Sequence, residues 1–181
     1  SCHTYYEVEA YDLDLERFNL AWRRLIERHD MLRSIILPDG RQRILRRVPP
    51  YQIEVLDLRG QNAETVTARL QAVRRRMSHQ ALAADRWPLF EICATRLDDE
   101  RTRLHLSFDL LIIDAMSMRI LFHEWRLLYH DPQAKLAPLE FSFRDYVLAE
   151  AELRDSSSYR RAKAYWLGRL SKIPPAPELP F

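Results

Sequence analysis

The chain has 181 residues, of which 47% are hydrophobic and 30% charged, a composition typical of one globular domain or lobe with a sizeable core. This composition excludes a disordered tail, a collagen-like fibre and a mucin-like stalk. The 28 Lys and Arg residues nearly balance the 26 Asp and Glu residues, so the net charge of +2 argues against a dedicated nucleic-acid-binding protein.

The predicted elements alternate between strands and helices along most of the chain. Apolar residues recur at helical spacing in the helices, and the strand at 102–108 alternates apolar and polar side chains with a period of two. In chain order we predict a strand at 4–9, a helix at 15–29, strands at 34–37, 42–46 and 53–58, a helix at 63–80, strands at 89–97 and 102–108, and helices at 114–129, 143–154 and 157–171. This mixture of hairpins and crossovers predicts an α/β layered sandwich with a mixed sheet.

Local signals support several of these boundaries. Asp12 and Asp14 are candidate N-caps for the first helix and Asn62 is one for the second, and Gly40 closes a turn at a position that favours positive φ. The arginine run at 74–76 is predicted to be a solvated helix face. The tryptophans on helical apolar stripes are predicted to be core residues: Trp22, Trp125 and Trp166.

Both ends of the chain suggest a piece of a longer protein. The chain opens at Ser1, enters a strand almost at once, and closes in a proline-rich run at 174–181 that is neither helix nor central strand. We therefore expect 174–181 to be a linker or an extended edge segment. No signal-peptide pattern follows Ser1 and no apolar run approaches the length of a membrane span, so no membrane association is predicted.

Cysteine and glycine usage excludes several kinds of site. Cys2 and Cys93 are too few for a disulfide scaffold or a four-cysteine zinc site, and with His3 they lack paired ligand spacing. Two cysteines fit a reducing compartment such as the cytoplasm, where both are expected to be free thiols. The three glycines form no phosphate-cradling loop, so neither a metal nor a nucleotide site is predicted.

One strand-to-helix junction carries the polar side chains that indicate a site. Asp109, Asp114 and Ser117 lie between the alternating strand and the next helix, at the end of a sheet, where ligand sites concentrate. The spacing alone leaves a structural alternative open. Asp114 and Ser117 can cap the following helix, and Asp109 can accept hydrogen bonds from loop amides.

The spacing of these three residues resembles the signature of heterocyclization domains of nonribosomal peptide synthetases. Those domains are relatives of condensation domains, which carry His-His-x-x-x-Asp-Gly at the equivalent turn. Three further stretches agree in order. The Arg-His-Asp-Met-Leu-Arg sequence at 28–33 resembles an early segment of the family, 39–42 continues it as a hairpin, and 170–180 resembles the proline-rich segment that closes the first lobe.

This resemblance implies a fold, a domain boundary and a missing part. The family is two-lobed, and each lobe resembles chloramphenicol acetyltransferase. Residues 1–173 correspond to the N-terminal lobe and 174–181 to the inter-lobe segment, while the second lobe and the short segment before the first strand have no counterpart in this sequence. The Asp and Thr assigned to cyclization and dehydration in the family lie in the second lobe and match no residue here.

The resemblance also implies roles for single residues. Leu110 stands where a condensation domain has its second His, and leucine exchanges no proton, so His-assisted amide formation is not available at this turn. Asp109 and Asp114 are the candidate catalytic residues of the signature. Asp114 is expected to act as the buried ion-pair partner of Arg33, in preference to the alternative in which it transfers protons directly. Asp109 is expected either to orient a substrate amine or water, or to hold the turn rigid. Ser117 is expected to hydrogen-bond the backbone near the helix start.

The neighbouring histidines do not obviously replace the missing one. His105 is expected to be structural or at the surface, and His123 to lie in the core or at its rim. The basic residues of 41–47 are expected to form a solvated hairpin face.

The activity that the resemblance implies has two parts. The amine of a carrier-bound Cys, Ser or Thr attacks a carrier-bound acyl thioester, and its side chain then closes on the new amide with loss of water, giving a thiazoline or oxazoline. Such products suit siderophore or antibiotic biosynthesis. Upstream and downstream carrier domains would deliver both groups on phosphopantetheine arms to a tunnel between the lobes, with no directly bound cofactor.

Two alternatives stay open from the sequence. The first is a condensation or acyltransferase domain that forms an amide or ester without cyclization. The second is a non-catalytic module that docks carrier proteins. On either enzymatic reading the isolated lobe is expected to be inactive, because the site would need the second lobe.

Overall fold

Six strands and five α-helices follow one another in the predicted order in the computed structural model, which describes residues 2–176. In chain order they are β1 (His3–Tyr11), α1 (Leu15–Arg28), β2 (Ser34–Ile36), β3 (Gln42–Ile44), β4 (Glu54–Asp57), α2 (Ala63–Ser78), β5 (Phe90–Arg96), β6 (Arg101–Asp109), α3 (Ala115–His130), α4 (Phe143–Leu153) and α5 (Ser157–Leu167). Short 3₁₀ turns lie at Asp30–Arg33 and Leu170–Lys172. Each predicted strand and helix is confirmed, with its ends displaced by a few residues.

The central sheet is mixed, as predicted. Its strand order is β1-β6-β5-β4, in which β6 is antiparallel to both neighbours and β4 is parallel to β5. Because parallel strands need a crossover connection, α2 lies between β4 and β5 in the chain. β2 and β3 form a separate antiparallel hairpin, and Gly40 in its turn has φ +80°, which confirms the predicted turn.

One face of the sheet packs against α1 and α3. Alternate residues of β6, among them Leu104, Leu106 and Phe108, join Trp22 of α1 and Trp125 of α3 in one buried cluster. The ring centroids of the two tryptophans lie 4.5 Å apart. Burial of each large apolar side chain contributes roughly 1.5–3 kcal/mol, so this layer supplies most of the apolar stabilisation of the fold. The core predictions for Trp22 and Trp125 are confirmed.

The opposite face of the sheet is polar where α2 crosses it. Arg74 of α2 donates to Glu7 of β1 through both Nε (2.7 Å) and a terminal nitrogen (2.8 Å), and Arg76 pairs with Glu91 of β5. All three arginines are exposed, so the predicted solvated helix face is confirmed. Arg74 and Arg76 also reach carboxylates that the sheet presents below α2.

Side-chain caps begin the first two helices where the sequence places them. Asp14 accepts a hydrogen bond from the Arg17 amide (3.0 Å) at the start of α1, and Asn62 accepts one from the Thr65 amide (2.8 Å) at the start of α2. Each cap satisfies an amide that has no partner within its helix.

The chain divides into two units, Ser1–Ala137 with the sheet and α1 to α3, and Pro138–Phe181 with α4 and α5. Neither α4 nor α5 has a buried residue, and Trp166 is 60% exposed, so the prediction that Trp166 is a core residue is wrong. Two short helices are too small a unit to enclose a side chain of that size. The boundary between 1–173 and 174–181 stays a prediction, and residues 177–181 lie outside the described part of the chain.

Candidate functional site

Backbone hydrogen bonds hold the junction between β6 and α3 on two sides. Asp109 ends β6, and its amide donates to the carbonyl of Leu89 (3.0 Å), in the segment before β5. The amide of Leu110 donates to the carbonyl of Cys2 (2.9 Å), just before β1. The backbone of the junction is therefore fixed to two neighbouring segments.

Asp109 is buried inside this turn, with 2% of its surface exposed. Its Oδ1 accepts a hydrogen bond from the amide of Leu111 (2.9 Å). The alternative in which Asp109 satisfies a loop amide is confirmed. A side chain with so little exposure offers almost no surface to a substrate, so the contact favours its role in holding the turn rigid.

Asp114 and Ser117 form the N-terminal cap of α3. The exposed Asp114 accepts hydrogen bonds at Oδ1 from both the amide and the hydroxyl of Ser117 (2.7 Å each). These two hydrogen bonds hold the pKa of the Asp114 carboxyl below its usual value, and the bond from the Ser117 amide has the larger effect. The capping alternative is confirmed, whereas the predicted partner of the Ser117 hydroxyl is wrong: it is the Asp114 carboxylate and not the backbone.

The predicted buried ion pair between Arg33 and Asp114 is wrong. Arg33 pairs with Asp30 (2.5 Å), and it also donates to the carbonyls of Ile26 and Glu27 at the end of α1. The last carbonyls of a helix lack partners within it, and Arg33 is close enough along the chain to satisfy them. Asp114 is exposed and caps the N-terminus of α3 instead.

The residues before Arg33 hold α1 to α3. Arg28 donates to both carboxylate oxygens of Glu124 on α3 (3.0 and 3.2 Å), and Nε2 of His29 lies 2.7 Å from Oε2 of Glu124. We call Arg28, His29 and Glu124 the α1–α3 clamp. Sequence reasoning noted the Arg-His pair but missed Glu124, because no local signal pairs residues on separate helices.

The start of β1 lies beside the junction, which sequence reasoning also missed. In the antiparallel ladder of β1 and β6, His3 is directly opposite Asp109. Cys2 and His3 entered the sequence analysis only as candidate zinc ligands and were set aside. Their place is fixed by strand register, which a single sequence does not reveal.

His105 belongs to the fold rather than to the junction. It is fully buried on the α2 side of the sheet, and its Nδ1 lies 2.6 Å from the hydroxyl of Tyr5. Burial lowers the pKa of His105, which favours a neutral imidazole. The structural role predicted for His105 is confirmed and the surface alternative is wrong. His123 is exposed on α3, so its placement in the core is wrong as well.

A cavity of about 290 Å³ lies on the other face of β6, between the sheet and the helices α1 and α3. Its walls include Leu104, Leu106, Phe18 and Phe122 and carry no carboxylate or imidazole. Tyr129 and Arg126 also line it, so the wall is mainly apolar with two polar side chains.

Neither a metal cluster nor a membrane-spanning helix is found within residues 2–176. No three His, Cys, Asp or Glu side chains are grouped as a bound metal ion would require. None of the helices within 2–176 is both long and apolar enough to cross a membrane.

A family model described as a condensation domain matches residues 4–181. Pyochelin synthetase PchF of Pseudomonas aeruginosa is 38% identical over 184 residues, which is all of this chain and 10% of PchF. Phenyloxazoline synthase MbtB of Mycobacterium tuberculosis is 38% identical over 188 residues, which is 98% of this chain and 12% of MbtB. The chain thus spans about a tenth of the length of these curated relatives.

Two solved structures share the fold of this chain. A nonribosomal peptide synthetase cyclization-docking bidomain, EpoB of Sorangium cellulosum, is similar with a TM-score of 0.94 and 43% identity over 98% of this chain and 35% of that chain. A condensation domain for chain release from the enacyloxin polyketide synthase is similar with a TM-score of 0.72 and 22% identity, over 95% of this chain and 34% of that chain. The second likeness supports the fold alone.

Proposed function

The chain belongs to the condensation-domain family, and on this premise we propose that it is the N-terminal lobe of a heterocyclization domain in a nonribosomal peptide synthetase. Residues 1–173 would form the lobe, and 174–181 would lead to a second lobe.

The observation that carries the proposal is the likeness to a cyclization domain. Identity is 43% to the EpoB cyclization-docking bidomain, with a TM-score of 0.94 over 98% of this chain. The junction supports the same choice, because Leu110 there supplies no proton acceptor and is 44% exposed.

The proposed reaction couples a carrier-bound acyl thioester to the amine of a carrier-bound Cys, Ser or Thr. The side-chain thiol or hydroxyl then attacks the new amide carbonyl, and loss of water gives a thiazoline or oxazoline. MbtB, whose name describes a phenyloxazoline synthase, supports this product class. The second lobe would supply the groups for cyclization and dehydration.

Within this reaction the described residues would supply a rigid wall. Asp109 holds the turn through the Leu111 amide, and Asp114 caps α3, so the backbone that faces the substrate stays in place. Preorganised walls of this kind hold two reactants in a reactive geometry, which lowers the entropic barrier to bond formation.

The partners follow from the proposed chemistry. Upstream and downstream carrier domains would present the two substrates on phosphopantetheine arms, which act as carriers of substrate and not as a resident cofactor. A thiazoline or oxazoline product would suit siderophore or antibiotic biosynthesis in the cytoplasm.

The test uses the complete domain, in which this chain is joined to its second lobe. The domain is mixed with an acyl-loaded and a Cys-loaded carrier protein, and the product is analysed by mass spectrometry. We expect a condensed product lighter by one water than the linear amide. As a control, an Ala-loaded acceptor has no side-chain nucleophile, so it should give only the linear amide.

Two outcomes would contradict the proposal. Linear amide alone from the Cys-loaded carrier would favour a condensation domain that does not cyclize. No product with several cognate donors would favour the carrier-docking module.

A further inference from the structure

Residues 138–176 contain two helices but no core. Every residue of this stretch is exposed except Ser142, Glu150 and Ser156, which are only partly buried. Thirteen of the 22 large apolar side chains that residues 2–176 expose lie here, although the stretch holds fewer than a quarter of those residues. The exposed apolar surface is therefore concentrated on α4, α5 and the segments beside them.

Each of the two helices gathers apolar side chains into one stripe, which we call the α4 stripe and the α5 stripe. The spacing of these side chains follows the helical repeat, so the members of a stripe share one side of their helix. The α4 stripe consists of Phe143, Tyr146, Val147 and Leu153, and the α5 stripe of Tyr159, Ala162, Tyr165 and Trp166.

Helices as short as α4 and α5 need packing to be stable. Each has 11 residues, whereas an isolated helix shorter than about 12–15 residues is marginal in water. Most helical stability in proteins comes from tertiary packing of the apolar side, and neither helix buries a residue within the part of the chain that the structure describes. A covering surface outside residues 2–176 accounts for both the helices and their stripes.

The exposed area is of the size that one partner contributes to a stable interface. The six aromatic side chains among the thirteen are 42–63% exposed, so each offers on the order of 100 Å². With the seven aliphatic side chains they offer roughly 1,000 Å², and an interface of standard size takes about 800 Å² from each partner. The stretch thus exposes enough apolar surface for a complete interface.

The charges around the α5 stripe indicate what else the covering surface carries. Residues 157–173 hold five basic side chains and no Asp or Glu. One of them, Arg169, lies at the stripe itself, because it donates to the hydroxyl of Tyr165 (2.9 Å) and its guanidinium lies 5.3 Å from the centroid of that ring. Since interfaces place opposite charges around an apolar centre, the covering surface should carry carboxylates at its rim.

We propose that the α4 and α5 stripes dock onto the second lobe of the same domain, an inference that rests on the proposed function. The two helices directly precede 174–181, the segment proposed to lead to that lobe. A partner on so short a tether has an effective concentration in the millimolar range, which favours it over a second copy of the chain. A related polypeptide is long enough to include such a partner, because this chain covers 35% of the EpoB cyclization-docking bidomain.

The experiment places a photo-crosslinking residue on the α5 stripe of the complete domain, with an acyl-loaded carrier protein present. p-Benzoylphenylalanine replaces Trp166 in one variant and Arg160, on the other side of α5, in the matched control. Linked peptides are identified by mass spectrometry after irradiation. We expect position 166 to link to the second lobe of the same chain, and position 160 to give at least about tenfold less of that product, because the two side chains point to different sides of the helix.

Three outcomes of this experiment would overturn the proposal. Links between two copies of the domain would show that the stripe is a self-association surface. Links to the carrier protein would show that it is a carrier-docking surface. Equal yields from positions 160 and 166, or no link from either, would show that the second lobe does not cover the stripe.

Hydrogen exchange tests the same contact without a photo-crosslinking residue. In the complete domain we expect the amides of α5 to be protected, and Trp166→Glu to lower that protection by at least about tenfold, because a carboxylate inside an apolar contact is unfavourable. Arg160→Glu is the matched control and should keep wild-type protection. Wild-type protection in Trp166→Glu, or unprotected α5 amides in the wild-type domain, would contradict the docking. If Trp166→Glu does not fold, the crosslinking variant decides the question, since it keeps an aromatic side chain.

Failure of this inference and failure of the proposed function give different results. A domain that forms the heterocycle but does not link position 166 to the second lobe overturns only the docking. A domain that gives this link but yields linear amide alone overturns only the cyclization. A domain that gives neither the link nor any product overturns both.

Discussion

Glu124→Gln removes the carboxylate at the centre of the α1–α3 clamp. In the native protein this carboxylate accepts two hydrogen bonds from Arg28, and the His29 ring lies 2.7 Å from it. Glutamine keeps the shape of the side chain but turns one acceptor into a donor that faces other donors. We expect the fold to be retained and its stability to fall.

The burial of the clamp sets the size of the effect. The side chains of Glu124, Arg28 and His29 are 12%, 18% and 15% exposed. Exposed ion pairs contribute about 0–1 kcal/mol, whereas breaking a buried one costs about 3–5 kcal/mol. Because these side chains are mostly but not fully enclosed, we expect the free energy of unfolding to fall by about 2–3 kcal/mol.

The charge of Glu124 gives the effect a pH dependence. Burial alone would raise the pKa of this carboxyl, but the hydrogen bonds from Arg28 and His29 outweigh it and hold the pKa below the usual value. A carboxyl with a depressed folded-state pKa stabilises the fold above its unfolded-state pKa, and this contribution is lost as the pH falls through the folded-state value. Urea unfolding followed by tryptophan fluorescence should separate variant from wild type at neutral pH, and the gap should close as the pH drops below about 4.5.

Glu27→Gln is the matched control, because Glu27 is an exposed carboxylate next to Arg28 that forms no ion pair within the described chain. Its free energy of unfolding should stay within about 0.5 kcal/mol of wild type. Equal urea midpoints for Glu124→Gln and wild type at neutral pH would refute the reasoning from partial burial. A gap that does not change with pH would show that the carboxylate charge is not its cause.

Three further predictions concern separate parts of the fold. Gly40→Ala should cost about 1–2 kcal/mol in urea unfolding, because Gly40 has φ +80° and no atom within 4 Å of an added Cβ, so the whole cost is conformational. Asp109→Ala should cost about 1–3 kcal/mol by the same measurement, because it leaves the Leu111 amide without an acceptor, and Asp109→Asn should cost less because it keeps one. Hydrogen bonds from Arg74, and to a smaller extent from Arg103, lower the pKa of Glu7 to about 2. The difference in unfolding free energy between wild type and Glu7→Gln, measured in a pH series, should therefore be constant above about pH 4.5 and shrink as the pH falls towards 2. A difference that grows as the pH falls would contradict the assignment.

The candidate site could be predicted from the sequence only in part. Apolar residues recur every second position up to 108 and at helical spacing from 115 onwards. This change of spacing was enough to place Asp109 and Asp114 at a strand-to-helix turn. Their hydrogen bonds to Leu111 and Ser117 were also within reach, because donor and acceptor are two or three residues apart. The ion pair inferred from family resemblance failed, since the Arg33 side chain found carbonyls and a carboxylate nearer along the chain.

By itself, the sequence determined the features whose causes are local: the order of strands and helices, the caps at Asp14 and Asn62, and the positive φ of Gly40. Each depends on side chains within about one turn of the backbone. The tertiary structure alone decided which distant residues meet, such as His3 with Asp109 and Arg28 with Glu124. Those pairs depend on strand register and helix packing, and a shift of one residue in β1 would place a different side chain against Asp109.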